Sequence, residues 1–498
     1  MSELSILTYI KKATHGAQTR GLPDKILETF LASKEHKDLS LALQAAKEAF
    51  SQIEKETPEI LKLTEKEAIA SLQDSLVNFY PEDQVNPYVA IAAKGPWVVT
   101  LHGAVLHDSG GYGMLGLGHH PEEILKVING KQVMANVMTP SLSHKKIAES
   151  LQKEVGHRHA SDKPLFTKYL YMNSGSESVT VAMKIADLKA RTMTDPGGQH
   201  EKRAIKLLAH KGGFHGRTDR PAQASDSTLA RSVGHLASFR DRKNLWTLEP
   251  NDVAGLQKAF ADAKAENIYI EMLLLEPVMG EGNPGLAITP DFYKEARRLT
   301  KEHGSVFLID SIQAGFRAHG CLSIMDYPGF ENCEPPDCET YSKALNAGQY
   351  PLSVLAMTEE MANLYLKGVY GNTMTANPRA LDVAAKVLEL FTPSLRENIR
   401  ERGKEMVEEF KKLAQEFPDV VTGVSGTGLL CAIHLKEDGY KVVGRSGVEL
   451  YMRENGIGVI HGGKNALRFT PHFAITSEEI SLIMDEIRKA LQRGPCYS

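Results

Sequence analysis

Two stretches constrain the fold most, NIYIEMLLLE (267–276) and SVFLID (305–310). Each is almost continuously apolar over the length of a strand, and each follows a segment with helical spacing. A strand with one solvated face alternates apolar and polar residues, so a strand apolar throughout is buried on both faces. Such strands alternating with helices argue for a parallel sheet covered on both sides. YLYM (169–172) ahead of a helix from Ser176 continues the pattern, as does AIKLLAH (204–210) ahead of a glycine-rich loop. WVVTLHGAVLHD (97–108) reads as two short strands joined at His102 and Gly103. The expected class is α/β: a large domain with a mostly parallel sheet flanked by helices, plus a smaller α+β domain built from both chain ends.

The segment boundaries follow from the same patterning. Residues 1–85 read as a helical extension, with apolar residues at three- and four-residue steps and a break at EKETPE, where Thr57 is the expected N-cap and Pro58 opens the next turn. Residues 86–150 read as the first part of the small domain and a crossover, 151–385 as the large domain, and 386–498 as the rest of the small domain.

Composition excludes several functions. The chain has 498 residues, 42% hydrophobic and 24% charged, with a formal net charge of -4. No basic excess points to nucleic acid or an anionic membrane. No window approaches the roughly 20 apolar residues of a membrane span. The first residues, MSELSILTYIKKATHG, lack the apolar core of a signal peptide. Five sparse cysteines suggest reduced thiols and a cytoplasmic location. Cys333 and Cys338 are close in sequence, but no second pair or flanking histidine makes a zinc site, so no metal is expected.

Ligands of open α/β sheets bind beyond the carboxyl ends of the strands, and four motifs lie at such ends. In NSGSES (173–178), Gly175 and Ser176 offer backbone N–H groups at a helix N-terminus, which suits a phosphate or serves as a plain capping turn. In KGGFHGRT (211–218), Phe214 suits either stacking on a flat ring or a place in the core, and Arg217 either a fork onto a carboxylate or a plain surface position. In LLLEPVMGEGN (273–283), Glu276 ends an apolar strand and Glu281 follows in a turn; two carboxylates this close fit either acid–base hydrolysis or an ordinary solvated loop. In FLIDSIQAGFRAHG (307–320), Asp310 ends an apolar strand and needs a partner, which a cationic ring nitrogen would supply, with Gln313 close behind. Downstream, Lys343 sits in CETYSKALNAGQYPL, a turn-rich stretch that by itself reads as a solvated loop. A phosphate cradle, a ring platform, a buried aspartate and a lysine, in that order, are the parts of a pyridoxal-phosphate enzyme.

The chain resembles the class III aminotransferases over roughly residues 90–490. GHHPEE (118–123), NSGSESVTVAMKIA (173–186), FHGRT (214–218), EPVMGEG (276–282), DSIQAGF (310–316), YSKALNAGQYPL (341–352), NTMTANPRA (372–380) and LRFTPHF (467–473) carry the likeness. The resemblance implies fold type I of the pyridoxal-phosphate transferases, with pyridoxal 5'-phosphate held in the large domain. It makes Lys343 the Schiff-base lysine and Asp310 the partner of the ring nitrogen. Gln313 lies near the ring hydroxyl, Phe214 stacks on the ring, and Gly175 and Ser176 hold the phosphate. Thr373 reaches the phosphate of the other subunit, which implies a homodimer with shared sites. Arg468 binds the substrate α-carboxylate, Glu281 pairs with that arginine, Arg217 takes a distal carboxylate, and Glu276 is a further site carboxylate. The implied partners are an amino donor and a 2-oxo acid, with ping-pong transfer of a terminal amino group from a donor such as 4-aminobutyrate, ornithine or lysine to 2-oxoglutarate.

The chain departs from the family pattern at Ser311, which replaces an acid, at Ala376, which replaces a glycine, and at His472, which replaces a proline. Arg317 and His319 also differ, and the N-terminal extension is longer. Two alternatives share the fold: an isomerase (an aminomutase or a racemase) and a non-enzymatic scaffold. A dinucleotide-dependent dehydrogenase is disfavoured because no GxGxxG follows the first strand.

Overall fold

The computed structural model describes residues 3–33 and 36–496. The chain divides into two compact units. The first comprises residues 1–122, 401–425 and 431–498, and so draws on both chain ends; the second comprises 123–400 and 426–430.

The first unit opens with helices α1 (Leu4–Ala13), α2 (Asp24–Ala32), α3 (Lys37–Glu56) and α4 (Glu65–Gln73). In α3, Leu39, Ala42, Leu43, Ala46 and Phe50 recur at helical spacing and all are buried. The restart after α3 differs from expectation. Pro58–Lys62 forms only a 3-10 turn, and Thr57 makes no side-chain cap. Thr64 is the residue that caps α4, in a reciprocal capping box with Glu67. Strands β1 (Ala90–Lys94), β2 (Trp97–Thr100) and β3 (Val105–Asp108) form an antiparallel meander, with β2 and β3 joined through His102 and Gly103 as expected.

The second unit holds a seven-stranded sheet. Its strands are β4 (Lys168–Met172), β5 (Ala204–His210), β6 (Leu245–Leu248), β7 (Ile268–Leu275), β8 (Val306–Asp310), β9 (Cys338–Tyr341) and β10 (Ser353–Met357), in the order β4-β10-β9-β8-β7-β5-β6. The run from β9 to β6 is parallel, and β10 is antiparallel to both its neighbours. The apolar runs serve two cores. Met272, Leu274, Val306 and Leu308 face the core under the helix Gly175–Thr194, while Leu273, Leu275, Phe307 and Ile309 face the core with Phe292 and Tyr293. Each such side chain contributes about 1.5–3 kcal/mol of burial, which favours this sheet over a one-sided one.

From residue 401 the chain belongs to the first unit, apart from residues 426–430. There β11 (Val421–Thr427), β12 (Leu430–Leu435), β14 (Ile460–Gly462) and β15 (Ala466–Phe469) form a second sheet in the order β11-β12-β15-β14, while β13 (Ile457–Gly458) joins β3 in parallel. Among the described residues no helix is long and apolar enough to cross a membrane.

Candidate active site

The site grows from the carboxyl ends of the parallel strands of the second unit. Asp310 closes β8, in register with Thr340 of β9. A carboxylate at the end of a buried strand requires partners. Its Oδ2 lies 2.9 Å from His215 Nδ1. Its Oδ1 accepts from Thr340 Oγ1 at 3.0 Å and from the Ile312 N–H at 3.3 Å. Both Asp310 and His215 are buried. Sequence reasoning missed His215, because the neighbouring Phe214 drew the functional role. The available signal was that Asp310 needed a buried partner and a histidine stood in a motif already singled out.

Beyond β9 the chain enters a single 3-10 turn, Lys343–Asn346. Lys343 is half-buried, and its φ of 45° lies in the left-handed region, uncommon for a side chain of this kind. Strain of this sort gathers at functional positions. Ser342 Oγ and Asn346 Nδ2 pin the turn by donating to the Leu352 carbonyl at 2.7 and 2.8 Å. The register of β8 and β9 puts Lys343 at the same sheet end as Asp310.

Glu276 follows β7 and is buried. The Phe214 N–H donates to its Oε1 at 3.0 Å and the Gly280 N–H to its Oε2 at 2.9 Å, so it binds two loops together. Burial pushes this carboxyl up to about 7; His215 opposes the rise and Asp310 adds to it. Gly280 leaves room for the Gln313 amide, which a Cβ there would approach to 2.3 Å and displace. Glu281 is half-buried in the same turn. Arg217 is exposed, its guanidinium carbon 5.7 Å from the centre of the Phe214 ring, within cation–π range.

The helix Gly175–Thr194 begins at this rim. Ser174 is its N-cap, accepting from the Glu177 N–H, which leaves Gly175 and Ser176 at the open end. Ser176 Oγ lies 2.6 Å from Thr218 Oγ1 and accepts from the Thr218 N–H at 3.1 Å. Gly216, at φ 122°, allows this approach; a Cβ would sit 2.2 Å from Ser176 Oγ. Glu177 accepts from Tyr370 Oη and, at 2.9 Å, from Asn372 Nδ2. The segment carrying Thr373 is thereby tied to the first turn of that helix. Thr373 itself is exposed, and its carbonyl accepts from Asn136 Nδ2 at 3.1 Å. Arg468 is carried by the first unit, buried on β15 opposite Ala432 and Ile460.

The departures at 311 and 376 have structural readings. Glu339 is fully buried and accepts from Ser311 Oγ, Ser323 Oγ, the Ile324 N–H and Tyr341 Oη. Burial raises it to about 7 against those hydrogen bonds. An acid at 311 would face this carboxyl, so serine suits the neighbour. Ala376 occupies a left-handed conformation, φ 56°, where glycine carries no penalty. Arg317 is fully buried, and His319 stands edge-on to Tyr327 at 4.6 Å, its basicity lowered to about 4 by burial.

A sheet of this order, with a carboxylate, a strained lysine and an open helix N-terminus at its carboxyl end, defines a pyridoxal-phosphate enzyme of fold type I. The sequence matches the family model "Aminotransferase class-III" over residues 79–491, so the chain belongs to the class III aminotransferases. It is 28% identical over 411 residues to ornithine aminotransferase 2 of Staphylococcus aureus, covering 82% of this chain and 94% of that one. It is 27% identical over 381 residues to acetylornithine aminotransferase of Prochlorococcus marinus, covering 71% and 85%. Among solved structures, ornithine aminotransferase from Toxoplasma gondii superposes with a TM-score of 0.72 at 21% identity, covering 89% and 98%. Adenosylmethionine-8-amino-7-oxononanoate aminotransferase from Methanocaldococcus jannaschii gives 0.73 at 21%, covering 86% and 99%.

The protein is thus a pyridoxal-phosphate-dependent aminotransferase acting on an amino donor and a 2-oxo acid. The donor set suits the cofactor. The Gly216 cradle that a Cβ would fill lies against the open helix end, and Asp310 is held as a buried carboxylate.

Proposed function

We propose that the chain transfers a terminal amino group, from ornithine, an acylated ornithine, lysine or 4-aminobutyrate, to 2-oxoglutarate. The observation that carries this reading is the similarity to ornithine and acetylornithine aminotransferases over most of their length. An exposed Arg217 beside Phe214 supports a second carboxylate contact. The isomerase reading has no comparable support.

In this scheme Lys343 would hold the cofactor and, once released by the donor, its amine would serve as the base that carries the proton of the substrate carbon. The bound cofactor supplies an electron sink for that carbon. Asp310, oriented by His215 and Thr340, would pair with the ring nitrogen and favour its protonated form. Gln313 would contact the ring hydroxyl, Phe214 would cover one ring face, and Gly175 and Ser176 would bind the phosphate. Glu276 steadies the loops around the ring. Arg468 grips an α-carboxylate, Arg217 a distal one, and Glu281 neutralises Arg468 when the donor presents its terminal amine.

A homodimer with shared sites, Thr373 reaching the partner's phosphate, accompanies this scheme. Val133, Val137, Met138, Leu142 and Met374 are exposed apolar residues, and Asn136 joins the first of these segments to Thr373. Such a patch is typical of an interface. Residues 1–85 are proposed as a helical extension, 86–150 and 386–498 as the small domain, and 151–385 as the cofactor-binding domain. Five cysteines without disulfides support a cytoplasmic setting.

Initial rates of glutamate formation with each donor and 2-oxoglutarate test the proposal. Parallel double-reciprocal lines with at least one terminal-amine donor are expected. Intersecting lines, or turnover with 2-amino donors alone, would overturn it.

A further inference from the structure

The first unit contains a buried cluster outside the candidate active site, made from residues far apart in sequence. Glu479, in the first turn of the helix Ser477–Gln492, divides its two oxygens. Its Oε2 accepts from the Thr476 N–H at 2.8 Å and lies 3.1 Å from His472 Nε2. Its Oε1 lies 3.5 Å from His107 Nε2 and 3.8 Å from His36 Nδ1. One ligand atom from each of His107, His472 and Glu479 lies within 4.8 Å of the others. The side chains of His107, Glu479, His36 and His472 are 0, 2, 5 and 12% exposed.

His107 Nε2 is the telling atom. It is buried and has no hydrogen-bond partner among the described residues. Its other nitrogen, Nδ1, lies 2.8 Å from Ser109 Oγ. When Nδ1 donates to Ser109, the Nε2 lone pair faces a carboxylate oxygen. Two buried acceptors aimed at each other repel, and a cation between them, either a proton carried by Nε2 or a metal ion, removes the repulsion. The His107–Glu479 pair has the spacing a metal ion needs, and the three ligand atoms, all within 4.8 Å of one another, would draw closer around it. Ligand atoms about 2.0–2.1 Å from a tetrahedral zinc stand about 3.4 Å apart, close to the 3.5 Å between His107 Nε2 and Glu479 Oε1. Ser109 provides the outer hydrogen bond that fixes a ligating imidazole. Trp97 packs edge-on against His107, and Phe30 against His36, which shields the cluster.

We propose that His107, His472 and Glu479 bind one zinc ion, with His36 closing the fourth position. Imidazole ligands without thiolate suit zinc, copper, iron or nickel, and a tetrahedral four-ligand set of this kind is zinc's common structural geometry. The ion would join the N-terminal helical segment, through His36, to strand β3 and to the last helix. This gives a role to the long N-terminal extension and to His472, which stands where the family carries proline. The role is structural and independent of the amino-transfer reading.

The test uses the full chain with pyridoxal phosphate bound. The protein is stripped with a chelator, loaded with zinc or cobalt(II), dialysed, and analysed for metal content, visible spectrum and melting temperature. One zinc per chain, d–d bands of tetrahedral cobalt without a thiolate charge-transfer band, and a zinc-induced rise in melting temperature on the order of 5 °C are expected. His107→Gln with His472→Gln should abolish all three, and His36→Gln should weaken retention. Failure of the wild-type chain to retain zinc overturns the proposal. So does equal retention by the double variant, or a cobalt spectrum dominated by thiolate. If the double variant does not fold, the wild-type stoichiometry and cobalt spectrum decide.

Discussion

His215 Nδ1 and Asp310 Oδ2 lie 2.9 Å apart with both side chains buried, so the carboxylate assigned to the ring nitrogen is itself held by a histidine. Replacing His215 by Phe removes a hydrogen bond to a charged group. Such bonds contribute about 1.5–3 kcal/mol, so kcat/KM should fall roughly 10- to 100-fold. Steady-state kinetics check this, and a folded variant with unchanged kcat/KM would remove His215 from the site.

Glu276 makes stability depend on pH. Its carboxyl titrates near 4.5 when unfolded and near 7 when folded, raised mainly by burial. Between these values the folded chain holds the extra proton, so stability falls as pH rises through this window and levels off above it. The part due to Glu276 is on the order of 3 kcal/mol at most. Glu276→Gln should flatten the slope of urea stability between these pH values, whatever its overall effect. Glu339, also raised to about 7, keeps its own share of the slope.

Ser311 and Glu339 form a pair in which one position suits the other. Ser311→Ala leaves a buried carboxyl short of a donor and should cost about 1–3 kcal/mol. Ser311→Glu, restoring the family's acid, should cost more, and Glu339→Gln in the same chain should recover part of the loss. Urea unfolding of the three variants measures both effects.

Gly216→Ala should weaken cofactor binding. The added methyl meets Ser176 Oγ at the open helix end, at a backbone φ of 122° that disfavours any side chain. An affinity loss of at least about tenfold, or about 1.4 kcal/mol, is expected when the apo chain is titrated with pyridoxal phosphate.

The exposed apolar segment should mediate self-association. Met138→Asp with Leu142→Asp should shift a sedimenting dimer toward monomer and weaken cofactor retention in parallel, because Thr373 is assigned to the partner's site. Sedimentation velocity at two concentrations, with cofactor absorbance recorded on the same samples, reads both.

Much of this was legible in the sequence, for physical reasons. Strands β7 and β8 announce themselves because both faces are buried, and Asp310 stands out as the charge that ends such a strand. Strand β9 does not, because CETY is short and carries a glutamate whose burial depends on Ser311, Ser323 and Tyr341. The antiparallel sense of β10 is a matter of pairing with β4 and β9, which no local pattern encodes. Thr57 looked like an N-cap because proline follows it, yet Thr64 caps the helix because Glu67 can return its hydrogen bond. The cluster around Glu479 joins residues from 36 to 479, and only the fold assembles it.

The most direct test of the central claim is a half-reaction followed by visible absorption. Wild type and Lys343→Ala, both loaded with pyridoxal phosphate, are mixed with one terminal-amine donor and no acceptor. The wild-type band should bleach in a single turnover and return on adding 2-oxoglutarate, while the Lys343→Ala band should not complete the cycle. Equal rates in both proteins, or a wild-type band unchanged by every terminal-amine donor, would contradict the account.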